Sequence, residues 1–165
     1  MHEERVLLAL DCWKKVFTLK TLGGGYVRCF LLFGEEGLTA VETSETANIP
    51  PWVVGSTGDV ASDILSGVIA EASRQMGYGY KPYIEKTTGK TVGMMLNSLG
   101  NSVRKSWYIP YQSHLKLVVK KKGEVRVLSK AGRVQKYLVH PESLPLLNQF
   151  VMEALAGKLV LETVA

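Results

Sequence analysis

Residues 115–139 restrict the fold of this chain more than any other stretch. Leu115, Leu117 and Val119 alternate with Lys116, Val118 and Lys120; a turn follows at Lys121-Lys122-Gly123-Glu124, and Val125-Arg126-Val127-Leu128 runs back. A second turn at Lys130-Ala131-Gly132 leads into Val134-Gln135-Lys136-Tyr137-Leu138-Val139. A period of two, broken by glycine-bearing turns, predicts a three-stranded antiparallel meander. In it Lys116 and Lys120 share a face with Val118, while Leu115, Leu117 and Val119 take the other. Pro141 then opens a helix over residues 141–157, with Leu144, Leu147, Val151, Ala154 and Leu155 on one side and Gly157 as its stop. The tail, residues 158–165, is apolar from Leu159 to Val164 and reads as a last edge strand or a contact for a second subunit.

Upstream, Arg5–Leu10 and Val16–Lys20 read as two short strands before a turn at Gly23-Gly24-Gly25. Tyr26–Phe33 is expected as a buried strand ended by Gly34, and Glu35-Glu36-Gly37 as a hairpin turn into Leu38–Thr43. Residues 48–105 read as a helical insertion. Pro50-Pro51 keeps its start extended. Val60, Ile64, Leu65, Val68, Ile69 and Ala72 then form a helical stripe stopped by Gly77. An aromatic loop, Tyr78–Tyr83, leads to a second helix from Thr91 to Arg104, which Gly93 and Gly100 weaken by about 1 kcal/mol each. Strands, a helical insertion, more strands and a helix make one α+β domain over residues 1–165.

A chain of 165 residues that is 46% hydrophobic can bury a sizeable core. No apolar run approaches the roughly 18 residues that cross a bilayer. Met1-His2-Glu3-Glu4-Arg5 is unlike the basic opening of a secretory signal. Cys12 and Cys29 lack a CxxC pattern, so two free thiols in a reducing cytoplasm are expected.

The charge is concentrated. Lys81 to Lys136 holds thirteen Lys/Arg and two acids, net +11, against −4 before it and −2 after it. Such a block gathers positive potential where phosphates, anionic lipids or an acidic partner can settle. The candidate anion-binding residues are Lys116, Lys120, Lys121, Lys122, Arg126, Arg133 and Lys136; Arg104 and Lys105 join them if the second helix ends beside the meander. The competing reading is a solvated sheet face whose lysines discourage edge pairing.

No catalytic pattern competes with this. Thr88-Gly89-Lys90-Thr91 looks like the end of a phosphate-binding loop, but Ile84 stands where that loop needs a glycine. Gly23-Gly24-Gly25 lacks the spacing of a dinucleotide fingerprint. His2, His114 and His140 are scattered and nominate no metal set. Cys29 sits in an apolar strand, where a thiol is inert packing. No enzyme activity, cofactor or metal is expected. Trp52, Trp107, Tyr108 and Tyr111 suit either base stacking or packing, with Trp107 and Tyr108 as the expected core members.

Ile109-Pro110-Tyr111, the basic meander and the helix from Pro141 to Ala156 follow Cys29–Phe33 and Leu38–Val41 in an order that resembles bacterial pleckstrin-homology-like and GRAM-like domains. The resemblance spans Tyr26 to Ala156 and implies an antiparallel partial barrel closed by a C-terminal capping helix. The long insertion with two helices departs from that pattern. The charge pattern implies a non-enzymatic cytoplasmic binding or adaptor module, peripheral at a membrane. Its basic sheet face would meet phospholipid headgroups or an acidic protein. A nucleic-acid-binding protein would use the same residues, with Trp107 or Tyr111 stacking on bases. A homo-oligomeric scaffold would use the tail and the surface at Met94-Met95-Leu96.

Overall fold

Three long strands open the fold: β1 (Val6–Val16), β2 (Gly25–Gly34) and β3 (Gly37–Ala47), each antiparallel to the next. The computed structural model describes residues 3–16, 25–47, 84–86, 90–130, 132–141 and 143–164. The break expected after Leu10 is absent. Asp11 to Lys15 continue β1 in register with Phe30 to Tyr26. Polar side chains persist in mid-strand because they have partners: Asp11 pairs with Arg28, and Lys14 lies 3.8 Å from Glu42. The Glu35-Glu36 turn is tied down by Glu4, whose Oε1 accepts from the backbone N–H groups of Glu36 and Gly37.

The insertion contributes β4 (Ile84–Lys86), α1 (Val92–Leu99) and the approach to β5 (Val103–Pro110). The Thr91 side chain caps α1 by accepting from Met94 N at 3.2 Å. The helix ends at Leu99, before the expected Arg104, because Gly100 takes φ +58°. Val103 onward is then free to pair with β3. The stripe Val60–Ala72, its stop Gly77, Pro50-Pro51, the loop Tyr78–Tyr83 and Gly23-Gly24 lie outside the described residues.

The expected meander forms as β6 (Lys116–Lys120), β7 (Glu124–Ser129) and β8 (Gly132–Leu138). The tail is an edge strand, β9 (Val160–Val164), parallel to β6. The path β5-β3-β2-β1-β8-β7-β6-β9 makes an open mixed sheet, with β4 on part of the β1 edge. That edge is divided: Leu8–Leu10 pair with β4, and Trp13 pairs with Leu138 of β8. With α1 and α2 (Ser143–Ala154) the architecture is α+β, as expected.

One core lies on the inner face. Leu10, Leu31, Leu117 and Val127 of the sheet meet Leu147 and Phe150 of α2 in a single cluster. Phe150 packs edge-on against Phe33 at 6.3 Å and takes the place expected for Ala154, which is exposed. Ile109 of β5 and Leu161 of β9, at opposite ends of the strand order, both pack on this cluster. The sheet therefore curves around α2. Tyr111 is buried, with its hydroxyl donating to Gly34 O at 2.7 Å, and Tyr137 is buried too. Trp107 and Tyr108, expected in the core, are only half-buried, because β5 is an edge strand. On the outer face of β1–β3, α1 sets Val92, Met95 and Leu96 against Val6, Ala9 and Leu32.

Candidate functional site

The alternation of the meander decides where its cations go. Leu117, Val119, Val125 and Val127 are buried inward, so Lys116, Val118 and Lys120 of β6 face out. In register, Val118 stands opposite Arg126 and Arg126 opposite Lys136, which gathers these cations on one outer surface. Lys121 and Lys122 are exposed in the β6–β7 turn. Arg133 is placed on β8 by its backbone. β9 completes the face: its register with β6 sets Val160 beside Lys116, Glu162 beside Val118 and Val164 beside Lys120.

Part of that charge is already met. Lys116 Nζ lies 2.5 Å from Glu162 Oε2, and Glu124 sits between Lys120 at 3.1 Å and Arg126 at 3.5 Å. Partial burial works to raise the Glu124 carboxyl, but Lys120 and Arg126 outweigh it and hold it below the usual value. The Lys116–Glu162 pair is solvent-exposed and worth about 0–1 kcal/mol, so a stronger anion can displace it; the Glu124 pairs are partly buried. Lys121, Lys122 and Lys136 are exposed and pair with no acid among the described residues. Val134 and Val160, on β8 and on the edge strand β9, are 52% and 59% exposed. Glu162 and Val160 of β9 were missed in the sequence because the tail has no local sign of its parallel partner.

Arg104 and Lys105 do not extend the surface. The helix that was to bring them beside the meander stops at Leu99, and both residues lie on β5, at the other end of the strand order from β9. The residues of the loop-like Thr88–Thr91 stretch that are described serve structure: Lys90 O accepts from Val6 N at 2.8 Å, and Thr91 caps α1. His140 O accepts from Ser143 N at 2.8 Å at the entrance to α2, and His114 occupies a turn at φ +55°. Among the described residues no group of three or more His, Cys, Asp or Glu is placed to hold a metal, and no helix is long and apolar enough to cross a membrane.

Cys12 and Cys29, far apart in sequence, stand directly opposite on β1 and β2, fully buried and unbonded to each other. Burial raises the Cys12 thiol well above its usual value and pushes Cys29 up to about 12. Only the thiolate attacks an alkylating agent. In mildly alkaline native buffer neither cysteine should react with iodoacetamide, and both should react in denaturant. Rapid labelling of the native protein, read by intact-mass spectrometry, would place a thiol at the surface.

The inner face is polar at one end, where Lys14, Glu42, Lys105, Trp107, Ser129 and Gln135 line a cleft of about 430 Å³ between β5 and the β7–β8 pair. Compared with family models, curated proteins and solved structures, the chain matches none.

Proposed function

We propose that this chain is a non-enzymatic module of pleckstrin-homology-like architecture that docks on an anionic lipid surface at the cytoplasmic side of a membrane. Two antiparallel runs joined through β1, with α2 laid over the inner face, support the architecture. The observation that carries the ligand class is the outer face of β6–β9. There Lys136 is exposed two residues along β8 from exposed Val134, Val160 lies beside Lys116, and exposed Val164 lies beside Lys120 at the end that carries Lys121 and Lys122. Cations alone suit any polyanion. Cations interleaved with exposed aliphatic side chains suit a surface that offers headgroup charge above an apolar layer. Among the described residues a nucleic acid would find no stacking group on this face, since Tyr111 is buried and Trp107 packs against the inner core. An acidic protein remains the competitor for the same charges.

The test is co-sedimentation with vesicles of phosphatidylserine in phosphatidylcholine, against phosphatidylcholine alone, at two salt concentrations. Each basic residue near such a surface contributes about 1 kcal/mol, so Lys121→Glu with Lys122→Glu should weaken binding by at least roughly 30-fold. Val134→Ser, which adds no charge, should weaken it further without changing the salt dependence much. Equal binding to neutral and anionic vesicles, or none to either, overturns the proposal and points to a protein partner. Self-association that survives salt and is lost on removing residues 158–165 would instead favour the oligomer through β9.

A further inference from the structure

The cleft on the inner face has no role in docking by the outer face, and its chemistry is specific. The strand rows explain it. On β1 the inward positions run Leu8, Leu10, Cys12 and then Lys14; on β5 they include Ile109, Trp107 and then Lys105. The apolar rows lie under α2, and the rows beyond the helix turn polar on the same concave face. Five strands thus deliver polar side chains to one open end: Lys14 from β1, Glu42 from β3, Lys105 from β5, Ser129 from β7 and Gln135 from β8.

Lys14 is committed. Its Nζ lies 3.8 Å from Glu42 Oε2 and 5.5 Å from the centre of the Trp107 ring. Lys105, Ser129 and Gln135 make no side-chain hydrogen bond or ion pair among the described residues. Two cations and one acid leave the cleft with one unbalanced positive charge. Beside it lie the Trp107 ring and Ile109, an apolar wall. Convergent polar groups without partners, set against an aromatic wall in a concave end of a curved sheet, are the usual make-up of a small-molecule site. At roughly 30 Å³ for each non-hydrogen atom, the volume holds about a dozen or more of them.

We infer that this cleft binds a small monoanion with a flat apolar body, such as an aromatic carboxylate. The carboxylate meets Lys105 and Gln135, and the ring lies along Trp107. Glu42 stands directly opposite Lys105 in the β3–β5 register, and Lys14, 3.8 Å from its Oε2, offsets its charge so that the anion meets Lys105. Binding here is independent of the outer face, so the two proposals fail separately.

The probe is naphthoate, titrated into the labelled protein and followed by amide and indole shifts in NMR spectra. Naphthalenemethanol serves as the neutral analogue and inorganic phosphate as the bare anion. Saturable shifts at Trp107, Lys105 and Gln135 with naphthoate, at least tenfold weaker with either analogue, are expected. Lys105→Glu, an exposed edge-strand change, should weaken naphthoate at least tenfold, and Lys105→Gln less; Lys121→Glu with Lys122→Glu should leave it unchanged. Equal affinity for the neutral alcohol, indifference to Lys105→Glu, or shifts that never saturate would each overturn the site.

Discussion

Arg28→Ala is expected to destabilise the protein by about 3–5 kcal/mol, the penalty for removing one partner of a buried ion pair. The Arg28 side chain is 3% exposed, and it forks onto Asp11, with Nε 3.0 Å from Oδ1 and Nη2 2.5 Å from Oδ2. Its Nη1 reaches Glu45 Oε2 at 3.3 Å, and its guanidinium lies 4.9 Å from the Phe30 ring centre. This cluster ties β1, β2 and β3 together on the face opposite the main core. Without the arginine, the Asp11 carboxylate is left buried with no counter-charge among the described residues.

The pH dependence supplies a second readout. Burial raises the Asp11 carboxyl above its usual value, and Arg28 opposes that rise through its hydrogen bonds and its charge. A carboxyl whose folded pKa lies above its unfolded one favours the folded state most below the unfolded pKa. That contribution falls as pH rises through the folded value. Removing Arg28 removes the opposing influence, so the rise grows and the variant suffers more near neutral pH than near pH 5. Urea melts at both pH values measure it. Arg28→Lys should also be costly, since an ammonium cannot fork onto both oxygens. Asp11→Asn combined with Arg28→Met should recover most of the loss. A penalty below about 1 kcal/mol, or one that does not change with pH, would show that the cluster is solvated rather than buried.

The same cluster shows why part of the fold was illegible in sequence. Asp11 and Lys14 break the apolar run of β1, and a local reading ends the strand there. What keeps it going is Arg28 and Glu42, which no local window contains. The meander and α2 were readable because their evidence is local: alternation, glycine turns, a proline start and a helical stripe. Even there Phe150 was passed over for Ala154, a choice that depends on Phe33 standing opposite. β9 is the clearest case of a non-local element. Its parallel partner β6 lies two strands and a helix earlier in the chain, and that pairing places Glu162 against Lys116. The basic block was therefore visible as composition, but its partial neutralisation was not. The inner cleft was invisible altogether, since five strands contribute to it and none carries a motif.

Gly123→Ala is expected to cost about 3 kcal/mol or more, through backbone strain and a clash that cannot relax cheaply. Gly123 sits at φ +102°, and a Cβ there would come within 2.3 Å of Val139 O. That neighbour is backbone, and the two segments are hydrogen-bonded: Val139 N donates to Gly123 O at 2.7 Å. The β6–β7 turn is thus fastened to the chain just before α2, and Lys121 and Lys122 are presented from a fixed base. Gly100→Ala is the control. It also has positive φ, at +58° with ψ −133°, but nothing lies within 4 Å of its Cβ position, so only the backbone strain of about 1–3 kcal/mol is expected. The excess at Gly123 over Gly100, read from urea midpoints, therefore reports chiefly the clash with Val139 O. If docking uses the turn in this fixed form, Gly123→Ala should also weaken binding to anionic vesicles under conditions where the variant is still folded. Equal costs at the two glycines would mean that the turn yields freely, and Lys121 and Lys122 would then act as a flexible charge pair rather than a shaped one.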